Sequence, residues 1–203
     1  MRSLSEIETV SKRSSRAAGY SWGIAEEVAK NIRLLEIFSL PGIKNLNSFF
    51  KKKKKLKLEN ISIINQDNVA NKNEYCPIIA GVNFLDQVRT LESLNEITFK
   101  KISYPLLFLP FISRAAEITG KRILLKIDDR EFLLNFNINI YSNYTKNEVI
   151  ESAENIYLKF LENRDSFEEK EWNELYKFSE ETFVEENDSL KQSGAGAGLT
   201  DND

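Results

Sequence analysis

The chain has 203 residues, is 41% hydrophobic and carries a net charge of −3 without a single histidine. That length and apolar content suffice for one sizeable core. The missing imidazole excludes histidine-activated serine or cysteine nucleophiles, histidine-ligated zinc or iron, and phosphohistidine transfer within this chain.

Charge is unevenly placed. Residues 2–57 hold 13 Lys and Arg against 5 Asp and Glu, a net of +8, whereas residues 148–188 hold 14 acids against 4 bases, a net of −10. The two ends attract, within one monomer or head to tail between protomers. Surface pairs are worth only about 0–1 kcal/mol each, so a contribution within the monomer is the simpler expectation.

Ser3 followed by Glu6 forms a capping-box pattern, and Leu4, Ile7, Val10, Ser14, Ala17 and Ala18 continue as a helical stripe to Gly19. A second helix is predicted from Ser21 or Trp22, with Ala25, Val28, Ala29, Ile32 and Leu35 on its apolar side, stopped by Pro41-Gly42. Residues 3–38 therefore read as a helical hairpin. Lys51 through Lys55, with Lys57, form a basic run that lacks interleaved arginine or aromatic residues. It reads as a solvated loop or sheet edge and does not point to nucleic acid.

Leu56, Leu58, Ile61 and Ile63 approach period-two alternation and predict a strand, followed by a polar loop. Val82 to Leu94 reads as a helix, Ile97 and Phe99 as a strand, and Leu106 to Leu109, between two prolines, as another strand. Pro110 and Gly120 bracket a helix with Ile112, Ala115, Ala116 and Ile118 on its inner side. A hairpin is the strongest sheet signal: Arg122 to Asp128, a turn near Asp129-Arg130, then Phe132 to Ile140 with alternate residues apolar. Thr145 with Glu148 and Ser166 with Glu169 repeat the capping pattern. They predict two C-terminal helices, one carrying Val149, Ala153, Ile156 and Phe160, the other Trp172, Leu175 and Tyr176.

The expected architecture is α+β: an N-terminal helical hairpin, a mainly antiparallel sheet, two C-terminal helices and an extended tail. One domain is expected over residues 1–184, followed by a flexible or docking tail over 185–203. The apolar run around Leu106 to Leu109 is far shorter than the roughly 20 residues of a membrane helix. The start turns charged and amphipathic instead of leading into an export signal. The single cysteine, Cys76, can form neither an internal disulfide nor a multi-cysteine metal site, which agrees with a reducing compartment. A cytoplasmic location is the expectation.

Four side chains suggest a ligand site. Trp22 beside Gly23 is a pocket wall or a core tryptophan. Glu26 or Glu27 binds an amine, acts as a base, or simply complements a helix N-terminus. Cys76, ahead of Pro77 and a helix start, is a nucleophile, a pocket lining or a small buried hydrophobe. Asp86, early in the same helix, is a polar pocket residue or a partner of the helix dipole.

The end, Gly194-Ala195-Gly196-Ala197-Gly198-Leu199-Thr200-Asp201-Asn202-Asp203, is either a plain tail or a slender docking arm. As an arm it presents Leu199 to an apolar recess and the Asp201 and Asp203 carboxylates to basic groups. It lacks the spacing of an EF-hand, and its Gly/Ala alternation does not match a dinucleotide fingerprint, so neither a metal nor another cofactor is expected.

Three segments together, Gly19 to Glu27, Tyr75 to Gly81 and the Gly-Ala-rich end, resemble an uncharacterised proteobacterial family classified as a domain of unknown function. The resemblance implies that these segments matter and implies no activity. The expected role is a non-catalytic accessory, binding or assembly subunit of a small-molecule pathway. It would dock a protein partner or another protomer through the C-terminal arm. The alternative is a histidine-free enzyme acting on a small polar metabolite through Trp22, Glu26, Cys76 and Asp86.

Overall fold

A computed structural model describes residues 2–183 and divides the chain into two compact units, the second beginning at Arg164. The first unit contains five helices, α1 (Leu4–Ala17), α2 (Trp22–Ile37), α3 (Gly42–Lys53), α4 (Pro77–Leu91) and α5 (Leu109–Thr119). Its six strands are β1 (Asp67–Val69), β2 (Glu96–Ser103), β3 (Arg122–Ile127), β4 (Arg130–Leu134), β5 (Ile140–Ser142) and β6 (Ser152–Leu161). They form one sheet in the order β1-β2-β6-β3-β4-β5. Only the β1/β2 pair is parallel. The α+β expectation holds.

One sheet face is apolar. Its registers place Ile97 opposite Leu158, Phe99 opposite Ile156, Ile123 opposite Phe160 and Leu125 opposite Phe132. On the other face polar partners meet, as in the Lys159–Glu96 and Lys126–Glu131 ion pairs. This one-sided alternation is what an antiparallel sheet covered on a single face requires. Edge-to-face aromatic contacts join the helices to the sheet: Phe84 of α4 lies 6.0 Å from Phe108, which lies 5.3 Å from Phe99 of β2. Such contacts add about 0.5–1.5 kcal/mol each beyond area burial.

Gly81 sets how closely α5 approaches α4. A Cβ there would stand 2.1 Å from the Phe111 ring, which is itself buried. No side chain larger than hydrogen fits. On the outer side of these helices, α2 buries Ala25, Val28, Ala29, Ile32 and Leu35, and α1 packs along α2. The Ser3–Glu6 capping box of α1 and the Ser21 cap of α2 are both formed, so the predicted hairpin is correct to its first turns.

Several expectations fail, each for a local reason. The segment expected as a helix through Val149, Ala153, Ile156 and Phe160 forms β6, a central strand between β2 and β3. Ile156, Leu158 and Phe160 also alternate, and pairing on both sides overrides the helical reading of the same residues. Among the described residues there is thus one C-terminal helix, not two. Leu106 is no strand residue: Pro105–Leu107 make a 3₁₀ turn and α5 begins at Leu109. Two prolines without amide donors suit a helix entry better than a ladder.

Among the described residues, the one β-bridge made by residues 56–63 is Glu59–Tyr75, so the expected strand does not form. Pro41-Gly42 opens α3, whose last turn is Lys51, Lys52 and Lys53. Cations at a helix C-terminus meet the dipole favourably, which accounts for part of the lysine run expected as a loop. The Phe132 strand ends at Leu134, and Ile140 belongs to the separate strand β5.

The second unit contains α6 (Glu169–Glu180), whose capping box uses Glu168 and Glu171 instead of Ser166 and Glu169. None of its residues is buried. No helix among the described residues is long and apolar enough to cross a membrane.

Gly81→Ala is expected to lower stability by about 1–3 kcal/mol, the usual cost of overpacking a filled core. Gly23→Ala, where an added Cβ meets nothing within 4 Å, is expected to be neutral or to stabilise by up to about 1 kcal/mol. Urea unfolding of both variants checks the pair; equal effects contradict the assigned α4–α5 contact.

Candidate functional site

Trp22 is the first residue of α2 and is 58% exposed, so it is not a core tryptophan. The Arg16 guanidinium lies 5.6 Å from its ring centroid, a cation–π contact at the corner of the helical hairpin. Glu26 is committed to two lysines, at 2.9 Å from Lys12 of α1 and 3.3 Å from Lys30 of α2. Hydrogen bonds from Lys12 and then Lys30 hold its carboxyl below the ordinary carboxylate value. A carboxylate kept ionised and occupied in this way is a poor general base.

Cys76 is 3% exposed and lies at the N-terminus of α4. Its Sγ is 3.6 Å from the Tyr20 hydroxyl. Lys53 completes this cluster: its Nζ stands 3.7 Å from the Tyr20 ring centroid and donates to the Ala18 carbonyl at 2.7 Å. Burial, and secondarily the neighbouring thiol, push the Tyr20 phenol well above its ordinary value, while burial lowers Lys53. Lys52 pairs with Glu151, joining the basic N-terminal segment to the acidic one within the first unit. Two of the six lysines expected as a solvated run are therefore engaged by the protein itself. Sequence reasoning missed Lys53 because nothing in a lysine run marks which member will meet a tyrosine.

Asp86 lines a groove of about 310 Å³ together with Glu27 of α2, Val82 and Leu85 of α4, and Phe111, Arg114 and Ile118 of α5. Helical spacing explains the set. Val82, Leu85 and Asp86 lie at i, i+3 and i+4 on one helix, and Phe111, Arg114 and Ile118 at i, i+3 and i+7 on the other. Arg114 donates to Glu27, both being part-buried. Trp22, Glu26 and Cys76 do not line this groove, so the four expected ligand residues do not converge there. Arg114 and Glu27 are the charged residues that join Asp86. The sequence carried only a weak hint, in that Glu27 was paired with Glu26 as an alternative.

Leu199, Asp201 and Asp203 lie outside the described residues. Among the described residues, no three His, Cys, Asp or Glu side chains gather to hold a metal ion.

The fold and these clusters describe an α+β protein whose helical hairpin and α4 N-terminus meet around Tyr20 and Cys76. A family model described as a protein of unknown function (DUF3726) matches residues 2–76 of the chain. The match takes in the Gly19–Glu27 segment and ends at Cys76, in keeping with the resemblance to an uncharacterised domain family. No curated protein and no solved structure matches.

The raised Tyr20 phenol has a defined consequence for alkaline stability. The folded state favours the protonated form, whereas the unfolded phenol ionises near about pH 10. Its contribution is complete below that pH and is lost as pH rises above it, at up to about 1.4 kcal/mol per pH unit. Tyr20→Phe is therefore expected to flatten the alkaline decline in unfolding free energy. An unchanged decline contradicts a buried, protonated Tyr20.

Proposed function

We propose that this protein is a non-catalytic binding or assembly subunit, accessory to a small-molecule pathway in the cytoplasm, and that it docks through its C-terminal segment. The observation that carries this reading is α6. Trp172, Leu175 and Tyr176 occupy i, i+3 and i+4 of a 12-residue helix, and each is between 49% and 64% exposed. An isolated helix of this length is marginal in water, and most helical stability in proteins comes from burying an apolar face. The stripe therefore favours a covering surface.

Charge narrows what that surface is. Residues 164–183 hold 7 acids against 3 bases, a net of −4. The complementary partner is a protein groove with an apolar floor and a basic rim, the usual receiver of an amphipathic acidic helix. The arm that follows extends the same chemistry through Leu199, Asp201 and Asp203. The enzyme alternative gains no comparable support, because Glu26 is occupied by lysines, Cys76 faces Tyr20, and Asp86 lines a groove that neither of them reaches.

Purification of the tagged full chain from its native host provides the test, in parallel with a Trp172→Ala, Leu175→Ala, Tyr176→Ala triple variant. The expected result is a stoichiometric protein released by raised salt and absent from the triple variant, with Tm shifted by no more than about 2 °C. Equal recovery of that protein with the triple variant refutes docking through α6. Removal of Leu199 through Asp203 is expected to weaken the same association and leave Tm within a few degrees; unchanged association returns the arm to a plain tail.

A further inference from the structure

We propose that the groove between α2, α4 and α5 binds an organic amine, a ligand with one ammonium group and a compact apolar body. The proposal does not rest on the docking reading.

Three charged side chains border the groove: Asp86, Glu27 and Arg114. Glu27 pairs with Arg114 and also with Lys30 at 3.4 Å, which leaves Asp86 as the lining charge without an ion-pair partner among the described residues. Among the described residues no hydrogen bond or ion pair engages the Asp86 carboxylate, although it borders a concavity of about 310 Å³. The rest of the lining is apolar: Val82 and Leu85 from α4, Phe111 and Ile118 from α5. One free carboxylate at the edge of apolar walls is the complement of an alkyl- or arylammonium ion. The ammonium donates to Asp86 while its body covers the side chains below.

Other ligand classes fit less well. An anion would face Asp86 and compete with Glu27 for Arg114. A bare divalent cation needs six or more oxygens, and the groove supplies only two carboxylates, one of them held by arginine. A neutral apolar molecule would leave the charged rim without a partner. The walls are also held in place from behind. Gly81 lets Phe111 lie against α4, and the Arg114–Glu27 pair joins α5 to α2, so the groove exists before any ligand arrives.

The probe is 2-phenylethylamine, titrated into the isotopically labelled full chain and followed by amide NMR shifts. 2-Phenylethanol and phenylacetate serve as neutral and anionic controls of similar shape. Saturable shifts centred on Val82, Asp86 and Arg114 are expected for the amine and not for either control. Asp86→Asn is expected to weaken the amine by about fivefold or more, since the charge-assisted hydrogen bond is lost at a partly solvated rim. Asp129→Asn removes the same charge at the exposed β3–β4 turn and is expected to leave the affinity unchanged. No saturable amine shift, an equal response to the alcohol, or undiminished binding by Asp86→Asn with a native spectrum overturns the proposal.

Discussion

The contact between Gly81 and Phe111 is the constraint on which the rest of the first unit depends. Because position 81 carries no side chain, α5 lies against α4 at a distance that any Cβ would forbid. Phe111 is thereby buried, and Phe108, one turn earlier, faces Phe84 and Phe99 in the edge-to-face contacts that seat both helices on the sheet. On the opposite side the same approach brings Val82, Leu85 and Asp86 beside Arg114 and Ile118. Arg114 then reaches Glu27 of α2, whose neighbour Glu26 ties α2 to Lys12 of α1. Core packing and the polar groove thus share one cause.

Much of this was legible wherever local chemistry and tertiary context agree. Ser3 and Glu6 satisfy each other's amides with no help from the fold, so the start of α1 could be read directly. The β3–β4 hairpin was equally clear, because Ile123, Leu125 and Ile127 alternate and the turn is short. β6 was not legible. Ala153, Ile156 and Phe160 fit a helical stripe, while Ile156, Leu158 and Phe160 fit a strand. Only two neighbouring strands decide between them. The lysine run misled in the same way: Lys51 to Lys53 finish a helix whose body, Leu46 and Phe49, is buried between more polar residues.

Of the candidate site, residue type was visible and convergence was not. Asp86 stood out as an acid on an apolar helix, yet its grouping with Arg114 depends on contacts 28 positions apart in sequence that no short motif records. Cys76 stood out as the lone thiol, but its partners Tyr20 and Lys53 come from two other elements. Glu26 stood out for its place near a helix start, and the structure assigns it to bridging lysines across the hairpin.

The first unit buries most of its aromatic residues, Trp22, Phe136 and Tyr141 being exposed, whereas α6 exposes Trp172, Leu175, Tyr176 and Phe178. That contrast is the physical basis for the account's central claim: a packed body bearing a helix completed by a partner. Amide hydrogen exchange on the isolated full chain tests it most directly, because protection reports local opening free energy. The account predicts slow exchange throughout α4, α5, β3 and β6, and exchange in α6 close to that of an unstructured peptide. Protection of α6 equal to that of α4 in the isolated monomer contradicts it.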